Sequence, residues 1–150
     1  MSSGTAVAVV LTATAGLAGA VQAAVMGELG ERVGIVPAVA FSVVIGMVGG
    51  LAALLVWERS FAGVRAALHE PVWLWIGGLM SLFIVFAITV GPPRIGVTAT
   101  IGIVIAGNLV SAALIDRYGL FGQDVIPIDR WRLFGLLLLA AGAALSLSRT

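Results

Sequence analysis

The chain contains no cysteine and no lysine. Without cysteine there is no disulfide, no thiolate metal site and no cysteine nucleophile. There is one histidine, His69, in a polar connector. A metal centre needs several ligands, so His69 is expected to be simply solvated. Charge is scarce as well: 10% of the 150 residues are charged, against about 25% in an ordinary soluble domain. The formal net charge is +1, and the eight basic residues, all arginine, are scattered along the chain. With no basic run, the electrostatic footprint of a nucleic-acid partner or an anionic-lipid patch is missing. Nor is there a G-x-S-x-G, a P-loop, an H-E-x-x-H or a pair of carboxylates inside an apolar stretch. Neither an enzyme activity nor a cofactor is expected.

What the chain has in excess is apolar surface. Hydrophobic residues make up 61% of it and the mean hydropathy is +1.17, against about 45–50% apolar in soluble domains. So small a chain with so few polar groups fits lipid, as one domain over residues 1–150. A spanning helix needs about 20 mainly apolar residues. The charges divide the chain into five such runs, approximately 5–27, 35–57, 72–91, 95–115 and 131–148, the last starting at Trp131 to gain length. The expected fold is all-α and integral to the membrane, with five transmembrane helices. The first run lacks a preceding basic residue and exceeds the roughly 7–15 apolar residues of a signal peptide, so it is read as a retained helix. Pro37 falls in the first turn of the second run, where a missing N–H costs little.

The connectors alternate in character. Those after the first and third runs are tight, Gly27 to Gly34 and Gly91 to Arg94; those after the second and fourth are longer, Glu58 to Pro71 and Asp116 to Arg130. Consecutive spans alternate direction, which puts both long connectors on one side. Trp57, Trp73, Trp75 and Trp131 fall on that side too, as an aromatic belt at headgroup level. That side also carries Arg59, Arg65, Arg117, Arg130 and Arg132, against Arg32, Arg94 and Arg149 on the other. The bias is weak under the positive-inside rule. Two readings stay open: a fixed orientation with the long connectors in the cytoplasm, or insertion both ways. The second would let two copies reproduce the inverted repeat of many transporters, as half each of a ten-helix dimer.

Glycine is abundant at 20 residues. In lipid, helices associate through close backbone approach. Gly46 and Gly50, Gly16 with Ala20, Gly19 with Ala23, Gly102 with Ala106, and Gly107 with Ser111 all have the required spacing, for packing within the chain or between copies. Two strongly polar side chains interrupt the apolar runs, Gln22 in the first and Asn108 in the fourth. Hydrocarbon satisfies neither amide. They either line a substrate path or hold helices together by hydrogen bonds. Ser111 lies one turn from Asn108. Carboxylates occur only at segment ends; Glu28 and Asp116 are placed either to face a cavity mouth or to sit solvated among headgroups.

The run Gly19-Ala-Val-Gln22-Ala-Ala-Val-Met26-Gly27-Glu-Leu29-Gly resembles the first helix of the YdcZ family of the drug/metabolite transporter superfamily. Trp73-Leu-Trp75-Ile-Gly77-Gly78 is similar to the start of its third helix. Val104-Ile-Ala-Gly107-Asn108-Leu followed by Leu114-Ile-Asp116-Arg-Tyr-Gly119-Leu-Phe-Gly122 resembles the fourth, and Arg130-Trp-Arg132-Leu-Phe-Gly135 through Gly142 the last. The family usually has asparagine at the place of Met26 and glutamine at that of Asn108; the second change keeps the amide and the first loses it. The resemblance implies a small multi-pass protein of the bacterial inner membrane that exports small molecules or metabolites. It implies pairing in opposite orientations, as a homodimer or with a paralogue, and alternating access. Gln22, Asn108, Ser111 and Glu28 are then the candidate substrate-binding residues. The rival readings are a non-transporting assembly subunit and a passive channel.

Overall fold

The structure, a computed structural model, describes residues 3–127 and 129–147. Every regular element among them is helical: α1 (Ser3–Val33), α2 (Ile35–Trp57), α3 (Ala62–Ala67), α4 (Ile76–Val90), α5 (Pro92–Ile95), α6 (Val97–Tyr118) and α7 (Arg130–Leu147). A 3-10 turn, Val72–Trp75, leads into α4, and another, Leu120–Gly122, follows α6. A helix satisfies its own backbone, which is why apolar runs fold this way in lipid. Four stretches are long and apolar enough to cross a membrane: Gly4–Val33, Ile35–Trp57, Val72–Ile95 and Val97–Tyr118. α7 occupies the fifth expected span, but its apolar stretch, Leu133–Gly142, is shorter. Ser148, Arg149 and Thr150, and the side chain of Arg132, lie outside the described residues.

Two boundaries differ from the sequence reading. α1 does not stop at Gly27 but continues to Val33. Glu28 and Arg32 are good helix formers one turn apart, and their side chains pair at 2.7 Å, so charge does not end this helix. Gly34 does, with φ 92°, a conformation that side-chain-bearing residues rarely adopt. The tight connector after the first span is therefore one residue long. The second tight connector is itself one helical turn, α5, opened by Pro92 and Pro93 and closed by Gly96 at φ 78°.

The helices form two compact units, one holding α1 to Ala24 with α5, α6 and α7, the other holding α1 from Val25 with α2, α3 and α4. In the second unit α2 packs on α4, and the covered residues are Met26, Gly27, Gly30, Ala38, Val39, Ile88 and Thr89. All lie near the short joints. A Cβ built on Gly30 would stand 2.7 Å from Thr89 Cγ2, and Thr89 is 1% exposed. At the opposite end of this unit Trp57 is 83% exposed. In the first unit α6 packs on α7 and against α5. Here Gly91 meets Thr100, whose Cγ2 and Oγ1 would both lie 2.5 Å from a Cβ at Gly91. α6 ends at Gly119 in the left-handed region, and the Ile126 N–H returns to the Asp116 carbonyl at 2.8 Å.

Candidate functional site

The covered face of α1 is the stripe Ala23, Met26, Gly27 and Gly30. At 3.6 residues per turn, Gln22 sits about 90° from the middle of that stripe, and it is exposed. Met26, where the resemblance has asparagine, is 5% exposed: it packs, and it presents nothing polar. On α6 one covered or half-covered stripe is Ala99, Gly102, Ala106, Leu109 and Ala113, and Thr100, Ile101, Val104 and Ile115 are buried or half-buried on the other side. Asn108 and Ser111 are both exposed and one turn apart, on the side that also carries buried Thr100 and half-buried Ile101, Val104 and Ile115. The helix therefore brings Asn108 and Ser111 together. Gln22 and Asn108 are both exposed, and neither lies among the buried residues of its helix.

Glu28 is placed differently from the other candidates. It accepts from Arg32 Nε at 2.7 Å on the surface of α1. Exposed i,i+4 pairs are worth about 0.3–0.5 kcal/mol, so Glu28→Gln is expected to leave the unfolding midpoint in detergent nearly unchanged. The helix hydroxyls are engaged too. Thr12 donates to Ala8 O, Thr14 to Val10 O, Ser81 to Gly78 O, Thr89 to Val85 O and Thr100 to Gly96 O, at 2.7–3.0 Å. Each donor serves its own helix, and none is set beside a base. No cluster of metal ligands occurs among the described residues.

The glycines separate into two kinds. A Cβ on Gly16, Gly19, Gly46, Gly50, Gly107, Gly135 or Gly142 would meet nothing within 4 Å. Those in the spaced pairs face open space along the middle of the helices. Gly119 closes on Val125 Cγ2 within its own turn, and the tight contacts between helices or their connectors are Gly30 on Thr89 and Gly91 on Thr100. The sequence reading missed both, because a glycine facing a threonine on another segment has no spacing signature. A groove of about 630 Å³ lies between α2 and α4, lined by Val36, Val39, Leu79, Phe83 and Phe86 among others. Its lining is wholly apolar and carries no group able to orient a polar ligand.

The sequence profile of a family described as "Putative inner membrane exporter, YdcZ" matches residues 7–145. No curated protein and no solved structure matches the chain.

Proposed function

From membership of the YdcZ family of inner-membrane exporters, to which this chain belongs, we propose that it exports small molecules as an antiparallel dimer working by alternating access. The chain is a multi-pass inner-membrane protein, and its family is not an enzyme class. In the proposed assembly each copy crosses five times. α1 and α6 of the two copies line a central path, where Gln22, Asn108 and Ser111 bind polar groups of the substrate. Glu28 stands at the mouth. Rocking one bundle against the other exposes the path to each side in turn.

The observation that carries this reading is the exposure of two amides on otherwise apolar spans. Hydrocarbon makes no hydrogen bonds, and an unsatisfied amide there costs several kcal/mol. Something must cover these faces, and a second copy does so while leaving polar groups along the seam. Open glycines on the same helices let that copy approach closely. No carboxylate lies deep in a span, which argues against proton antiport through one central acid.

The test uses the absence of cysteine. A single cysteine at His69 or, separately, at Thr150 is labelled in intact cells with a membrane-impermeant thiol reagent. Each site is expected to label to about half of its total, as two orientations require. Full labelling at one site and none at the other sinks the homodimer and leaves an oppositely oriented paralogue to be found.

A further inference from the structure

The segment between α2 and α4 reads in sequence as a polar connector, yet it is built. Ser60 Oγ accepts from the Ala62 N–H at 3.1 Å and opens α3. The Arg65 N–H bonds Phe61 O at 3.0 Å and the Leu68 N–H bonds Val64 O. Trp75 Nε1 donates to Ala67 O at 3.3 Å, tying the end of the short helix to the turn that starts α4. At the other end Arg59 takes a left-handed φ of 50°, and the N–H groups of Glu58 and Arg59 both reach Leu54 O. The chain thus turns off the end of α2.

The apolar side chains of this element share one face. Phe61, Val64 and Leu68 are spaced by three and four, and they are 55%, 46% and 63% exposed. Ala62, Gly63 and Ala66 occupy the opposite face. The charges are sorted as well. Arg65 flanks the apolar face at one residue from Val64. The Glu58 carboxylate lies on the far side, 3.6 Å from where a Gly63 Cβ would be. The segment joins two apolar spans, Ile35–Trp57 and Val72–Ile95, and is bracketed in sequence by Trp57 before it and Trp73 and Trp75 after it, residues that favour the headgroup level. α3 is only about 9 Å long, so it stays at that depth.

We infer that α3 is an in-plane anchor whose partner is the lipid surface: Phe61, Val64 and Leu68 enter the boundary between headgroups and acyl chains, and Arg65 lies along it toward the phosphates. The two helices that the segment joins, α2 and α4, are both apolar enough to span, so the bilayer surface is the apolar phase within reach of a short connector. Arg59 and Arg65 are balanced by Glu58 and Glu70, so apolar insertion carries the contact, and anionic lipid is not required. The anchor fixes the depth of the α2–α4 end and does not depend on how copies pair.

Single cysteines introduced by Phe61→Cys, Val64→Cys, Leu68→Cys, Ala62→Cys, Gly63→Cys and Ala66→Cys carry a nitroxide in phosphatidylcholine–phosphatidylglycerol liposomes. Collision with oxygen, which partitions into lipid, is compared with collision with a water-soluble nickel chelate. The oxygen-to-nickel ratio is expected to be several-fold higher at 61, 64 and 68 than at 62, 63 and 66. Three results would overturn the inference. Equal nickel access on both faces places the segment in water. High oxygen and low nickel on both faces submerges it. Shielding of 61, 64 and 68 from both reagents puts a protein surface there. Labels at 62, 63 and 66 leave the apolar face intact and check that the short helix persists.

Discussion

Gly91→Ala is expected to destabilise the protein by about 1–3 kcal/mol, the range for forcing extra volume into a packed contact. The added methyl would stand 2.5 Å from both branches of the Thr100 side chain and 3.0 Å from its Cβ. Thr100 cannot swing away freely, because it is branched at Cβ and its hydroxyl is held on Gly96 O at 2.8 Å. Thermal unfolding in a mild detergent reads the effect. Thr100→Ala removes both colliding atoms, so the double variant should recover most of the loss, with a coupling of about 1 kcal/mol or more. Gly30→Ala behaves the same way through Thr89, with a sharper rescue. Only Thr89 Cγ2 is in the way, at 2.7 Å, and Thr89→Ser deletes that atom while keeping the bond to Val85 O. If either alanine variant unfolds like the parent, the contact in question is not tight.

Asn108→Leu is expected to reduce export by about tenfold or more, with Gln22→Leu close behind. A substrate polar group left without its partner loses about 1–3 kcal/mol, and each 1.4 kcal/mol is a factor of ten. The unfolding midpoint should hold or rise, since in this reading the amide contacts substrate and no neighbouring helix, and an apolar side chain takes its place on an apolar span. The opposite result, export intact and stability lowered, assigns the amides to holding helices together. Export is followed as efflux from proteoliposomes of a candidate substrate panel, with binding to the purified protein as a second readout. Asn108→Gln keeps the amide and should retain most of the flux.

Helix positions were legible where composition alone decides them. α2 falls on the expected 35–57 without a shift, because charged residues bracket an unbroken apolar run. The apolar run of the first span ends near Gly27, while the helix that carries it continues through Glu28, Glu31 and Arg32 to Val33. Charge marks the edge of hydrocarbon, but a helix continues past that edge until backbone geometry stops it, here at Gly34. Packing was the least legible. Gly46 and Gly50 have the spacing of a helix-packing pair, yet they face open space, while Gly30 and Gly91 meet threonines on other helices. The amides were legible as anomalies, since each stands alone in an apolar run. Their exposure was not, because periodicity does not say which face a neighbour covers.

The single-residue joint at Gly34 also bears on how the chain enters the membrane during synthesis. The Gly34 N–H bonds Gly30 O and the Ala38 N–H bonds Gly34 O, so hydrogen bonding passes from α1 to α2 almost without interruption. No loop is left to be carried across the bilayer separately. A one-residue joint leaves the second span no choice of direction independent of the first. The charges on the joint are Glu28, Glu31 and Arg32, and only Arg32 counts strongly toward the choice. One arginine is a light ballast for two helices.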